Sequence, residues 1–405
     1  MSERGVKLPR RFRAVVKPTP LVCALLCTAS ALGWQALKVR YEFGGNWGAL
    51  FNTGRDFPPP PELAWEHVPV VSPTTGYDGQ FYHYIAHDPF FRHGLARYID
   101  DPRRRYERIL VPLAAYVLVA GHQPWIDFAV RAVVLLFVFL GAWWTTRYAL
   151  AHGGRARPVL LFALLPATVL SVENLTVDVA LAALGAAFLL QHDGPVWKLF
   201  PILALAPLAR ETGVLLVAGS MVWALWRSHW RRAAVCALAA VPWAAWTAFV
   251  YRHTPSQAYP MSPIPFYEAW RAVLYVRSAV PGALGLVVTA LDAVAVAGSV
   301  LAVLLGLYQV RRGSAVGLAC AGFGILGLVL QRPDVWDNYH AHTRVLSPLY
   351  LWLSLGAYAG ANRVQPPKLP NGGSLGDSPR FAALPFFLVL PRLALGLIAQ
   401  LRLFF

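Results

Sequence analysis

Apolar runs recur along the whole chain, cut by arginine, proline and glycine. They predict eleven helical spans, at about residues 19–38, 125–148, 158–172, 177–192, 196–209, 211–227, 233–250, 283–309, 314–330, 344–361 and 381–401. Backbone polar groups in hydrocarbon must pair internally, so such runs define an all-α polytopic membrane protein. The first run, Pro20 to Val39, has the basic start of a signal peptide. It lacks a small-x-small cleavage site and ends beside Lys38 and Arg40, so it reads as an uncleaved span. The runs at 158–172 and 196–209 are short for a hydrocarbon core of ~30 Å. They are expected to extend into polar flanks or to pack inside the bundle. Ile109 to Gly121 is shorter still and follows Arg103, Arg104, Arg105 and Arg108; it reads as a helix lying against the membrane surface.

The polar segments then organise the chain. A basic cytoplasmic N-terminus occupies 1–18, a transmembrane domain 19–361, a cytoplasmic linker 362–380 and a final span 381–405. The sizeable outer segments are 39–124, 251–282 and 331–343. Pro58 to Pro61 form a stiff polyproline spacer in the first of these. Pro366, Pro367, Gly372, Gly373 and Ser374 mark the linker as flexible.

Composition supports this division. The chain is 57% hydrophobic and 14% charged, with a mean hydropathy of +0.47, whereas soluble domains are nearer a quarter charged. The net charge of +16 would suggest nucleic acid, but its distribution does not. Arg4, Lys7, Arg10, Arg11, Arg13 and Lys17 precede the first span. Arg155 and Arg157, Arg227, Arg231 and Arg232, Arg311 and Arg312, and Arg363 and Lys368 sit in or beside short connections. That is the positive-inside pattern, which records orientation. The loop from Arg40 to Arg108 carries eight basic and nine acidic residues and is near neutral. Cys23, Cys27, Cys236 and Cys320 all lie in apolar segments, with neither zinc-site spacing nor a disulfide framework.

Three polar stretches are candidates for chemistry. The first is Gly76-Tyr77-Asp78-Gly79-Gln80-Phe81-Tyr82, followed by His83. Tyr77 and Tyr82 offer aromatic faces for a sugar ring, and Gln80 and His83 offer hydrogen bonds to hydroxyls. Gly76 and Gly79 allow a sharp turn and close approach to a ligand. Asp78 is placed to accept a proton from an attacking hydroxyl. The competing reading is a solvated aspartate that caps a helix beginning near Gln80, where substitution would move stability by no more than about 0.5 kcal/mol.

The second stretch joins Glu173, Asn174 and Asp178 at one turn to Arg210 and Glu211 at another. Charged groups at that depth are paired or wet. Arg210 either forms a structural pair with Glu211 or Asp178, or binds a phosphate with its guanidinium fork. The third runs from Arg332 to Arg344. His340 and His342, with Asp334 and Asp337, give a weak case for a divalent metal. Arg344 either snorkels to headgroups or holds a lipid phosphate. Asp292, deep in a span, pairs with a neighbouring helix or lines a cavity.

Taken in order, these residues resemble the GT-C glycosyltransferases, polytopic enzymes that use polyprenyl-phosphate-linked sugars at the outer membrane face. The resemblance implies that Asp78 matches the essential aspartate of the first outer loop, and that Ile109–Gly121 matches the surface helix after it. Asp178, in Leu175-Thr176-Val177-Asp178, matches the acid that opens the fourth span. Arg210-Glu211-Thr212-Gly213 matches a basic residue with a nearby glycine, with Glu211 as a departure from the pattern. The Tyr-Asp-Gly-Gln-Phe-Tyr string also looks like that of bacterial membrane proteins implicated in cell-surface glycopolymer formation. The first loop holds no Asp-x-Asp pair. That favours a metal-independent enzyme with a lipid monophosphate donor and no cofactor, and the resemblance implies inversion at the anomeric carbon. The implied partners are a polyprenyl-phosphate sugar, a glycan or lipid acceptor and membrane lipids, with no nucleic acid. The implied setting is a bacterial inner membrane with the active site outside. The rival functions are a lipid or polysaccharide transporter or flippase, and a non-catalytic scaffold of a glycan-assembly complex.

Overall fold

A computed structural model describes residues 19–255, 261–362 and 379–401. The basic N-terminus at 1–18, most of the linker at 362–380 and residues 402–405 lie outside the described residues. The described residues are mostly helical, with one small two-stranded sheet. α1 (Pro20–Tyr41) starts where Thr19 accepts the Val22 N–H at 3.3 Å and Pro20 takes the first helical position. The loop after it holds α2 (Gly79–His87), α3 (Pro102–Glu107) and α4 (Leu110–Leu118). The bundle continues with α5 (Ile126–Ala151), α6 (Val159–Ala163), α7 (Pro166–Asn174), α8 (Asp178–Gln191), α9 (Val196–Ala209), α10 (Val214–Trp226) and α11 (Trp230–His253). α12 (Tyr267–Tyr275), α13 (Gly282–Tyr308), α14 (Ala315–Val329), α15 (Pro333–Trp336), α16 (Tyr339–Val345), α17 (Ser347–Asn362) and α18 (Pro379–Leu401) complete it.

Among the described residues, five helical segments are long and apolar enough to cross a membrane: Pro20–Tyr41, Gln123–Ala151, Trp230–His253, Gly282–Arg312 and Phe381–Gln400. Asp178–Gln191, Val196–Ala209, Glu211–Trp226 and Ala315–Val329 are apolar but shorter. The run expected as one span at 158–172 is broken into α6 and α7. Pro166 has no N–H to continue the ladder, and Leu165 before it is extended, at φ −62° and ψ 138°. α4 is nine residues long, too short to cross.

α8 lies at the centre of the packing. Every residue from Asp178 to Leu189 is buried, and α5, α9 and α17 pack around it. Its small residues, among them Ala180, Ala183 and Ala187, let neighbouring backbones approach. Trp352 of α17 donates its indole N–H to Gly185 O at 2.9 Å. α13 packs on α14 and α18. Asp292 of α13 accepts from Arg392 Nε of α18 at 2.6 Å, so this mid-helix acid has a helix partner.

The loop after α1 is bolted to the turn between α7 and α8. A two-residue strand, β1 (Thr53–Gly54), pairs in parallel with β2 (Val70–Ser72). Gln80 accepts from Gly54 N at 3.1 Å and donates to Thr75 O at 2.7 Å. Asn52 donates to the Asn174 side chain at 2.9 Å. Gly79 sits so close to α7 that a Cβ there would lie 1.9 Å from Asn174 O, and Gly76 is left-handed at φ +72°. These glycines were expected to admit a ligand. They admit the protein's own backbone instead, and so hold the start of α2 against α7. Gly79→Ala is accordingly expected to destabilise the fold by about 1–3 kcal/mol or more, the cost of overpacking against a backbone that cannot yield. Thermal unfolding in detergent checks this; an unchanged midpoint would show that the contact is soft.

Candidate functional site

Asp78 occupies the cap position of α2, yet its side chain makes no capping hydrogen bond. Its carboxylate turns instead into a cavity of about 580 Å³. The capping role expected of a solvated aspartate is therefore not the one this residue takes. The cavity is walled by the first loop, the turn between α9 and α10, and the segment from α15 to α16. Six arginines line it (Arg104, Arg105, Arg108, Arg210, Arg332 and Arg344) against four acids (Asp78, Asp100, Glu211 and Asp334), leaving it net positive.

Each central arginine is set by local sequence. Asp101 accepts the Arg104 N–H at 3.2 Å and Pro102 follows it, so α3 starts there and carries Arg105 toward Asp78. Asp100 then grips Arg105 at two points, Nε to Oδ1 at 2.9 Å and Nη2 to Oδ2 at 2.7 Å. Arg108 follows α3 and is held by both oxygens of Glu211, each at 2.7 Å, and it donates to Tyr82 OH at 3.1 Å. Asn338 caps α16 by accepting the His340 N–H at 2.9 Å, and Arg344 lies on that helix.

The ion contacts meet at Asp78. Its Oδ2 lies 2.9 Å from Arg105 Nη1 and 2.6 Å from Arg344 Nη1. Burial acts to raise the Asp78 pKa. The Arg105 and Arg344 guanidiniums outweigh it and hold the carboxyl well below the usual carboxylate range. Arg344 also lies 3.7 Å from Asp178, whose main partner is Arg210. Asp178 opens α8, where the helix dipole favours an anion. Arg210 approaches Glu211 only at 3.9 Å. Of the pairings expected from sequence, Arg210–Asp178 forms, while Glu211 belongs to Arg108.

These ionic contacts leave several donors without an aligned acceptor. Arg344 Nε and Nη1 and Arg210 Nε are buried without an aligned hydrogen-bond acceptor. Asp78 Oδ2 has ionic contacts but no aligned donor. A buried, unmatched donor costs about 1–3 kcal/mol, more when charged. An anion with several oxygens, such as a phosphate, is the ligand that would satisfy them.

The structure thus brings together Asp78, Tyr77, Asp178, Arg210, Glu211 and Arg344. Tyr77 lines the cavity under Arg344, whose guanidinium lies 5.5 Å from its ring centre. Gln80 is fully buried and tied to the loop backbone, so it offers nothing to a sugar. Tyr82 stands behind Arg108 as its acceptor. His83 faces away from the cavity, stacked on Phe51 at 4.1 Å. His340 and His342 do not converge on a metal. His342 Nδ1 meets Ser299 Oγ at 2.8 Å and its ring stacks on Trp336. His340 lies against Tyr339 and Tyr77, and burial, then the nearby Arg392 and Arg344, pull its pKa down to about 3, so it is neutral at ordinary pH. Glu173 lies near Lys38 and Trp34 rather than in this group.

Sequence reasoning missed Asp100, Arg105 and Arg108 as members of the site. The signal was present in Asp100-Asp101-Pro102-Arg103-Arg104-Arg105, but this string reads equally as the basic flank of a surface helix. No protein family, curated protein or solved structure matches this chain.

Proposed function

We propose that this protein is a membrane glycosyltransferase of the GT-C kind. It would span a bacterial inner membrane eleven times, with α6–α7, α8, α9, α10, α14 and α17 joining the five long helices. It would move a sugar from a polyprenyl-phosphate donor to a glycan or lipid acceptor at the outer face. The observation that carries this is Asp78, one carboxylate set among buried arginines that still have donors to offer. A lipid phosphate satisfies those donors and places its sugar against Asp78. The pairing of Asp292 with Arg392 weakens the transporter alternative, because it neutralises the acid that such a mechanism would use.

In this proposal an acceptor hydroxyl attacks the anomeric carbon as the carbon–oxygen bond to phosphate breaks. The lipid phosphate leaves with the bonding pair, and Arg344, Arg105 and Arg210 stabilise its charge. Asp78 takes the hydroxyl proton, and a single displacement inverts the centre. A carboxylate gripped by two guanidiniums is a weak base. The donor phosphate competes for those guanidiniums, loosens the grip and so raises the proton affinity of Asp78 when substrate is in place.

This coupling has a kinetic signature. The pH profile of kcat/KM reports free-enzyme groups and that of kcat reports the bound complex. In the free protein Asp78 stays ionised far below the ordinary aspartate value of about 3.9. Its protonation should therefore not limit kcat/KM at mildly acid pH, whereas the acid limb of kcat should lie at higher pH. The assay is sugar transfer by purified protein from a polyprenyl-monophosphate donor. Absence of both transfer and donor binding would defeat the proposal, and coincident acid limbs near 3.9 would defeat the phosphate-loosened base.

A further inference from the structure

We propose that Glu66, His83, His87 and Asp127 form a structural binding site for a divalent transition-metal ion, with zinc preferred. Among the described residues, these four are a group whose ligand atoms, one from each side chain, all lie within 4.8 Å of one another. His83 and His87 stand one turn apart on the same face of α2. Glu66 ends the short 3₁₀ helix Pro61–Glu66, and Asp127 lies in the first turn of α5. Three segments distant in sequence thus meet at one point.

Hydrogen bonding does not account for the convergence. His83 Nε2 lies 2.9 Å from Glu66 Oε2, 2.8 Å from Asp127 Oδ1 and 3.1 Å from His87 Nε2. His87 Nε2 lies 2.9 Å from Glu66 Oε1. Each ring nitrogen carries at most one proton, and four close approaches compete for two. If both nitrogens were protonated, their hydrogens would collide across the 3.1 Å gap. Glu66 Oε2 and Asp127 Oδ1 are buried with no aligned donor. The Glu66, His83 and His87 side chains are at least nine-tenths buried, with 5%, 1% and 0% exposed.

At His87 the next layer of contacts supports the same conclusion, while His83 Nδ1 is buried without a hydrogen-bond partner. Gln123 donates its amide to His87 O at 3.3 Å, which turns its Oε1 toward His87 Nδ1. Oε1 only accepts, so Nδ1 carries the proton of a neutral ring and Nε2 presents a lone pair. That is the orientation second-layer partners impose on metal-bound histidines. Two carboxylates neutralise a dication. Two imidazoles and two carboxylates make a four-coordinate nitrogen and oxygen set of ligand types that zinc accepts, at about 2.0–2.2 Å.

The ion would hold α2 and α5 to the 3₁₀ helix, and α2 carries Asp78 at its other end. Its role is positional, because none of its ligands lines the cavity. The inference does not depend on the glycosyltransferase proposal, and its readouts do not use activity.

The experiment is elemental analysis of tag-free protein purified without chelator, beside thermal unfolding. About one divalent transition-metal ion per chain is expected. His83→Ala with His87→Ala should reduce it to background, and the near-isosteric Glu66→Gln should weaken it while keeping the fold. Chelator should lower the melting temperature by several degrees, and zinc chloride should restore it. A wild-type protein with no stoichiometric metal, and a melting temperature indifferent to chelator and to zinc, overturns the site. Metal retained undiminished in the folded variants overturns it as well.

Discussion

Asp78→Asn should lower sugar transfer by roughly 10²–10⁴-fold, the range for loss of a positioned general base. The amide keeps size and polarity but neither takes the proton nor balances the arginines. As a solvated loop aspartate, Asp78 would tolerate the change with little loss of stability. The structure corrects that expectation. Asp78 is only 14% exposed and stands between two buried guanidiniums. Removing one partner of a fully buried pair costs about 3–5 kcal/mol. Here Arg105 keeps Asp100 and Arg344 keeps a contact with Asp178, so a cost of about 1–3 kcal/mol is expected. The Asp78 pKa is depressed in the folded chain. Its stabilisation is therefore fully present above the unfolded value of about 3.9 and is lost as pH falls through the lower folded value. The melting-temperature gap between wild type and variant should stay constant from mildly acid to neutral pH and close only in strong acid. Transfer undiminished in a folded Asp78→Asn protein would remove Asp78 from the mechanism.

Arg344→Ala should reduce kcat/KM by roughly 10²–10³-fold, comparable to losing one donor to a developing anion. It should differ from Asp78→Asn in kind. A phosphate contact exists before the transition state, so the donor KM should rise as well as kcat fall. It also removes one of the cations that depress Asp78, so the acid limb of kcat/KM should move to higher pH. Neighbouring Arg108 is the control. Its donors are taken by Glu211 and Tyr82, and its loss should cost stability ahead of donor affinity. Donor titration and the pH profile are the measurements. An unchanged donor KM for Arg344→Ala would leave Arg344 a structural partner of Asp78 only.

Much of this architecture follows from local pattern. Apolar runs act over a few residues, so the helices and the exceptional string around Asp78 are visible in the chain itself. The span at 158–172 shows the limit: its apolar run is continuous, and Pro166, visible in the sequence, is what breaks it. The charges that sit at helix ends were also visible, because an unpaired charge is costly in hydrocarbon wherever the chain goes.

Partner choice depended on the tertiary structure. Glu211 is adjacent to Arg210, yet it meets Arg108, 103 residues away, because side chains pair across helices according to packing. Asp292 finds Arg392 at a separation of 100 residues for the same reason. Gln80 and His83 share a heptapeptide neighbourhood with Asp78, but successive helical positions point about 100° apart. Gln80 turns to the loop backbone and His83 to Glu66 and Asp127, so of these three only Asp78 enters the cavity. Sequence identifies which groups need a partner; only the folded chain determines which partner comes within reach.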